Sequence, residues 1–547
     1  MAMDALARAR DWLAQDPDPE TRSELEALLM QGNRSEIERW FTGDLQFGTA
    51  GLRGPLGCGP LRMNRMVVAR AAAGLAQFLL EQSPSPRVVI GYDARHKSCE
   101  FARETAGVMQ GAGVDTLLLP NALPTPVLAF AVRYLAADGG MMVTASHNPA
   151  GDNGYKVYLG DGTQIANPAD ELIAEHMARV PRVDLLARNT DYTVLGNDVF
   201  DAYLDAICET VAPAIQQIHV AYTPMHGVGG APFLTAAARC GFTEVAVEAS
   251  QANPDPDFPT LPFPNPEEPG AMDRVFGLAE QVAADIVLAH DPDADRLAVA
   301  ARHHGEVRLL TGDELGCLLA VALLERGMTG TFASSIVSGT LLGAVAARSG
   351  QPWVRTLTGF KWIGKVEELA FGYEEALGYC VRPDVVRDKD GISAALLVLS
   401  FANELRAQSR TLIDVLEDLA REFGVFATKQ LSIRLDTSAQ VKALLSDFAA
   451  TPPGSIAGAQ VTRLRDLSRP DTDLPATAGI ALELGPTASV TIRPSGTEPK
   501  LKCYLEVRGP IGDDLTVGQA RAQAQLDLIE TELRALLLGS SQSHEAR

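Results

Sequence analysis

The 547-residue chain is 46% hydrophobic and 21% charged, ordinary globular values, and at roughly 150 residues per domain its length predicts three to four domains. A formal net charge of -22 argues against non-specific binding to nucleic acid or to an anionic membrane surface, and it demands a local basic island if the substrate is an anion. Seven scattered cysteines without a CxxC point to a reduced compartment; with no signal-peptide core and no apolar run of about 18 residues, a cytoplasmic protein is expected.

Residues 1–45 alternate apolar and charged positions at helical spacing, which predicts one or two surface helices separated by Pro17 and Pro19. FGTAGLRGPLG (Phe47–Gly57) is too glycine-rich for a helix interior; it suits close backbone approach and carries one cation, Arg53. From Met66 the pattern alternates: helix 67–80, strand 87–92 ending in DARHKS, helix 99–111, strand 116–119, helix 126–134, then the apolar run Met141–Val143. Such alternation predicts a mostly parallel sheet covered on both faces. The last run opens into TASHNPAGDNGYK, which puts Ser146 at the carboxyl edge of a sheet, where α/β folds place their chemistry. Ser146 is the candidate nucleophile, although this stretch alone reads more readily as a turn with a solvated serine. A helix over 197–210 closes the first unit. A second opens at Ile218 with a strand, MHGVGG and a helix to Cys240. The proline-rich stretch 253–270 connects to a helix near 273–284 and a strand over 286–289 that ends in HDPDADR. A third unit begins near Thr311 with the helix GDELGCLLAVALLERG and includes helices over 397–407 and 412–423. After Gly424 the segments 428–435, 489–493 and 501–507 alternate like strands with one exposed face, and a long helix over 517–538 follows, an α+β pattern with a more antiparallel sheet.

Three loops carry further chemistry. Asp291, Asp293 and Asp295 follow a strand at i, i+2 and i+4, and in extended chain they would share a face and repel one another unless a cation held them. Hard oxygen ligands favour Mg²⁺ or Ca²⁺ over zinc, and an EF-hand is excluded because its glycine and glutamate positions hold Arg296 and Arg302. In RPSGTEPK, Arg493 is a bidentate donor, Ser495 and Thr497 add hydroxyls, Gly496 lets backbone amides point inward, and Lys500 and Lys502 add charge. That set suits a phosphate dianion, and by itself it is also an ordinary basic turn. Glu374 and Glu375 in FGYEEALGY are carboxylates set between glycines, able to accept from vicinal sugar hydroxyls, and TGFKWIG puts Lys361 beside aromatics. The chain has no G-x-S-x-G and no Walker A sequence, which argues against a serine hydrolase and a P-loop enzyme.

Taken together and in this order, TASHNP, DPDADR, GYEEALG and RPSGTEPK resemble the α-D-phosphohexomutase family over nearly the whole chain. FGTAGLRG, TGFKWIG, and GYEEALGY followed by RDKDGISAA look most like its phosphoglucomutase-2/phosphopentomutase branch and bacterial relatives. The resemblance implies an α/β fold of four domains: three similar mixed α/β domains over 1–211, 212–310 and 311–425, and a C-terminal α+β domain over 426–547, around a central cleft. It implies a phosphosugar mutase that passes a phosphoryl group through Ser146 and a sugar 1,6-bisphosphate. Asp291, Asp293, Asp295 and a phosphoserine oxygen would then bind Mg²⁺, and Lys156 would be the general base. Arg53, His147 and Arg296 would line the reaction centre. Lys361, Glu374, Glu375, Arg493, Ser495, Gly496, Thr497 and Lys500 would bind substrate. The implied partner is a small phosphosugar, with no nucleic acid and no membrane, on a monomer or homodimer. Many hexose-specific members carry Ser two places after the first Glu of the sugar loop; here that place is Ala376, which leaves the choice between glucose, mannose and pentose phosphates open.

Overall fold

The computed structural model describes residues 4–48, 51–209, 211–212, 216–469, 474–495, 500–512 and 514–541. It divides into two compact units. One comprises Met1–Leu310, Phe360–Phe371 and Ala376–Ser409, the other Thr311–Gly359, Gly372–Glu375 and Arg410–Arg547.

In the first unit the N-terminal stretch forms three helices, Ala5–Gln15, Pro19–Met30 and Arg34–Phe41, where one or two were expected. Pro19 does not sit between helices. It occupies the first turn of the second one, behind Asp18, whose carboxylate accepts from Glu20 N. Nor are these helices merely superficial, because Ala9, Trp12, Leu25, Ile37 and Phe41 are buried in the same core as Met63 and Met66.

A six-stranded sheet follows among the described residues, in the order Leu52–Pro55, Asp152–Leu159, Gly139–Val143, Arg87–Tyr92, Asp115–Leu118, Thr193–Val194. The strands from Gly139–Val143 onward run parallel. Asp152–Leu159 is antiparallel to Gly139–Val143, and Leu52–Pro55 is antiparallel to it in turn. The sheet is therefore mixed. The Asp152–Leu159 strand was not expected, since DNGYK reads as loop by local preference; its six central residues are buried, so packing overrides that preference.

A second sheet orders Glu306–Leu309, Leu297–His303, Ile286–His290, Val220–Thr223 and Val245–Val247. Its last three strands are parallel, and Leu297–His303 turns back antiparallel along Ile286–His290. Both chemistry-bearing loops of this unit thus join a buried strand to an antiparallel return. The unit also holds the helix Gly391–Ala407, which starts six residues before the expected 397 because Asp390 caps it, accepting from Ile392 N and Ser393 N.

The second unit contains the helix Gly312–Glu325, the parallel pair Thr331–Ser335 and Trp353–Thr356, and a C-terminal sheet. That sheet runs Val425–Arg434, Lys500–Gly509, Ala488–Pro494, Ile480–Leu484, Ala459–Asp466, Ser455–Ile456, and neighbouring strands are antiparallel throughout. Leu526, Ile529, Leu533 and Leu537 of the last helix, Leu515–Ser541, are fully buried at helical spacing in the core of this sheet. The architecture is mixed α/β with a C-terminal β-rich domain. No helix among the described residues is long and apolar enough to cross a membrane.

Candidate active site

Strand Gly139–Val143 is buried along its whole length and delivers Thr144, Ala145 and Ser146 into the loop. Ser146 is 1% exposed and its φ is 53°, in the left-handed region that a non-glycine residue keeps only under outside support. The support comes from DARHKS. Thr144 Oγ1 accepts from Ser146 N at 2.9 Å and donates to Asp93 Oδ2 at 2.7 Å. Asp93 Oδ1 accepts from Ser98 Oγ at 2.6 Å and from Arg95 N at 3.0 Å. The Arg95 guanidinium, 4% exposed, donates to four loop carbonyls: Ser146 O at 2.6 Å, Asn148 O at 2.6 Å, Pro149 O at 2.8 Å and Asp152 O at 3.3 Å. Burial pushes the Asp93 carboxyl up and the Arg95 guanidinium down, and their mutual attraction opposes both shifts. The sequence places Arg95 only in DARHKS at the end of a strand; its distances make it the frame of the serine loop.

The aspartate trio converges by a different route from the one expected. The strand ends at His290, and residues 291–295 form a turn in which Ala294 has φ 53°. The turn, not the pleat of a strand, aims the three carboxylates at one point. Neighbouring backbone holds it there. A Cβ on Gly227 of MHGVGG would lie 2.4 Å from Pro292 Cα, and one on Gly391 would lie 2.4 Å from Arg296 O. One oxygen from each of Asp291, Asp293 and Asp295 falls within a 4.8 Å group, and all three residues are buried.

Around them the Ser146 hydroxyl donates to Asp291 Oδ2 at 2.8 Å. Lys156 Nζ donates to Asp293 Oδ2 at 2.6 Å and to Asp295 Oδ2 at 2.5 Å. Lys389 Nζ is 3.2 Å from Asp295 Oδ2, and Thr125 Oγ1 donates to Asp293 Oδ2. Burial and the two neighbouring aspartates drive Asp291 well above the carboxylate range. Burial also raises Asp293 and Asp295, but the Lys156 charge and hydrogen bonds outweigh it and leave both below that range, with Lys389 assisting at Asp295. Asp293 Oδ1 and Asp295 Oδ1 are buried without a hydrogen-bond partner. Hard oxygens turned inward in this way fit a divalent cation. Lys156 is 1% exposed, so the burial expected of a general base is present, but its near neighbours are carboxylates and not cations.

The remaining expected residues of this unit gather close by. His147 Nδ1 is 3.1 Å from Ser146 Oγ. Arg53 pairs across the sheet with Gly154, and its NH1 is 3.5 Å from Asn148 Oδ1. Burial pushes the Arg53 guanidinium down, Asp293 pulls it back up and Arg296 pushes it down again, which places it between those charges. Arg296 N donates to Asp291 Oδ1, and its NH1 lies 3.3 Å from Glu267 Oε2. Lys361 stands apart from these contacts, 3.4 Å from Asp170 Oδ2.

In the second unit, Glu374 Oε1 accepts from Gly359 N at 2.6 Å. Glu375 Oε2 accepts from Ser335 Oγ and Ser338 Oγ, each at 2.9 Å, so this carboxylate is tied inward to the end of a strand. Burial, Glu374 and Asp313 push Glu375 up to about 7. Arg493 donates to Thr358 Oγ1 and to Thr477 Oγ1, and burial lowers its guanidinium. Ser495 N donates to Lys500 O at 2.8 Å, closing the base of the loop; Gly496 and Thr497 lie outside the described residues.

Sequence reasoning did not single out Thr125, Asp93 or Lys389 as site residues. Lys389 belongs to RDKDGISAA, and the signal available there was a charge cluster ahead of a glycine that opens an apolar helix.

The fold and this constellation define an α/β enzyme with a buried serine set on a cation-ready carboxylate cluster. Models of phosphoglucomutase/phosphomannomutase α/β/α domains I, II and III match residues 44–183, 201–305 and 311–423. A probable phosphomannomutase of Haemophilus influenzae is 44% identical over 82% of this chain and 93% of its own length. A probable phosphoribomutase of Schizosaccharomyces pombe is 36% identical over 91% and 93%, and a phosphoglucomutase of Staphylococcus haemolyticus 34% identical over 86% and 91%. A crystal structure of a phosphoglucomutase/phosphomannomutase family protein from Burkholderia thailandensis shares the fold, with a TM-score of 0.71 and 20% identity over 90% of this chain and 97% of that one. The chain belongs to the α-D-phosphohexomutase family and is a phosphosugar mutase.

Proposed function

We propose that the chain interconverts glucose 1-phosphate and glucose 6-phosphate through a phosphoserine at Ser146 and a glucose 1,6-bisphosphate intermediate. The observation that carries this reading is the Ser146 hydroxyl itself, almost fully buried and donating to Asp291 inside the carboxylate cluster. Phospho-Ser146 gives its phosphoryl group to the free hydroxyl of the sugar phosphate, and the bisphosphate, turned over, returns its other phosphate to Ser146. Lys156 takes the hydroxyl proton, and Lys389, also buried on Asp295, is a second amine available for proton transfer. Arg53, His147 and Arg296 stabilise charge on the moving group, and Arg95 keeps the serine in line. Mg²⁺ bound by Asp291, Asp293, Asp295 and a phosphoserine oxygen would supply charge neutralisation at that group. Lys361, Glu374, Glu375, Arg493, Ser495, Gly496, Thr497 and Lys500 orient the sugar and its second phosphate.

The four-domain division at 211/212, 310/311 and 425/426 belongs to this reading, and the family model over residues 311–423 supports its last two boundaries. The seven free cysteines support a cytoplasmic location. A pentose phosphate is the second reading, favoured by Ala376 and by the relative named a phosphoribomutase. Mannose phosphate or net bisphosphate synthesis would use the same centre.

The test is ³¹P NMR of the protein with Mg²⁺, trace glucose 1,6-bisphosphate and glucose, mannose or ribose 1-phosphate in separate tubes. Fastest conversion of the glucose ester to its terminal phosphate is expected. Faster conversion of ribose would move the assignment to pentoses, and conversion of none would overturn all three sugars and move it to another sugar phosphate or to a binding role.

A further inference from the structure

Two thiols meet where the first two sheets of the chain are joined. The helix Asp198–Cys208 ends at Cys208, and Cys240 caps the helix Gly230–Arg239 packed against it, all within one compact unit. Cys208 Sγ lies 3.7 Å from Ala236 O, the same carbonyl that accepts from Cys240 N at 3.1 Å. Both cysteines therefore converge on the one Ala236 carbonyl, Cys208 through its sulfur and Cys240 through its backbone amide. Cys208 is partly exposed, and Cys240 is 8% exposed behind it.

The chemistry of the pair is asymmetric. The neighbouring Cys240 thiol, with help from Arg239, holds the Cys208 thiol below its usual value against burial, while Cys240 is driven up by Cys208 and by burial. Burial keeps Cys58, Cys317, Cys380 and Cys503 above the usual thiol value. An accessible thiol with a depressed pKa beside a second thiol is the arrangement of a peroxide-sensitive pair. Neither cysteine takes part in the phosphoryl-transfer centre.

We propose that Cys208 and Cys240 form a reversible disulfide on exposure to a peroxide, stapling the last helix of the serine-bearing segment to the first helix of the metal-loop segment. The Cys208 thiolate attacks one peroxide oxygen, the O–O bond breaks, and the departing hydroxide takes a proton and leaves as water. The Cys208 sulfenic acid is then attacked by the Cys240 sulfur; the S–O bond breaks, the S–S bond forms, and a second water carries away the Cys240 proton. The thiols lose two electrons between them and the peroxide gains two.

The test treats the full-length protein with hydrogen peroxide, blocks residual thiols and maps peptides without reduction. The expected result is one linked peptide joining Cys208 to Cys240, loss of two of the seven thiols, and a higher melting temperature. Dithiothreitol should reverse all three. Cys240→Ser should leave a Cys208 sulfenic acid that dimedone traps, and Cys208→Ser should leave Cys240 unoxidised, both variants keeping wild-type turnover. Seven intact thiols, a link to another cysteine, or dimedone on Cys99 in place of Cys208 in the Cys240→Ser protein would overturn the assignment.

Discussion

Ser146 and the groups that hold it are the smallest scale at which the reaction is decided. On the proposed mechanism, replacing Ser146 with Ala removes the phosphoryl acceptor, and turnover should fall on the order of 10⁴-fold or more while Mg²⁺ binding persists, checked by steady-state kinetics and calorimetry. Near-normal turnover would contradict the nucleophile assignment. Arg95 acts through position, because its guanidinium spans four carbonyls that one ammonium cannot span. Arg95→Lys should therefore lower kcat about 10²-fold with KM nearly unchanged, the cost of a misplaced reacting group. A rise in KM with kcat intact would assign Arg95 to substrate binding instead. Glu375 belongs to this scale too. Its folded pKa of about 7 stands above the ordinary 4.5, so the folded state binds the extra proton and stability from this group is intact below pH 4.5. It is lost as pH rises through 7, the cost of ionising a buried carboxylate beside Glu374 and Asp313. Glu375→Gln should flatten that loss, so its melting temperature should exceed the wild type's above pH 7 and match it near pH 4.5; parallel curves would contradict the account.

Elements explain which parts of the site the sequence made legible. Strand Arg87–Tyr92 falls at its expected bounds, because an apolar run between turn residues has one reading in an α/β chain. The motif loops were legible because they combine residue types that seldom occur together, such as three aspartates after a buried strand. Two features were not. Asp152–Leu159 is a strand only because its neighbours on both sides supply partners, a fact absent from DNGYK itself. The aspartates converge through a left-handed Ala294, a conformation no residue preference announces. Likewise, MHGVGG reads from sequence only as the link between a strand and a helix, yet Gly227 is where backbone meets Pro292. Gly227→Ala should push that turn away, lowering stability by about 1–3 kcal/mol and weakening Mg²⁺ binding, read by thermal melts and calorimetry. Unchanged values would mean that the turn is not clamped there. Chelation should act differently. Lys156 and Lys389 already neutralise Asp293 and Asp295, so removal of divalent metal should abolish turnover and leave the circular dichroism spectrum unchanged, with Mg²⁺ restoring activity. Unfolding on chelation would show a structural metal instead.

Across the whole molecule, a net charge of -22 coexists with chemistry on anions. Arg53, Arg95, Lys156, Arg296 and Lys389 lie in one unit, and Arg493 with Lys500 in the other. The serine, the three aspartates and the two buried lysines gather within the first unit together with Lys361, while Glu374, Glu375 and Arg493 lie in the second. The central claim is that Ser146 carries the phosphoryl group, and it is tested most directly by mixing the dephosphorylated protein with Mg²⁺ and glucose 1,6-bisphosphate and locating the label by peptide mass spectrometry. The account predicts one phosphoryl group per chain, on Ser146, discharged when glucose 1-phosphate is added. No protein-bound phosphate, or phosphate on any other residue, would contradict it.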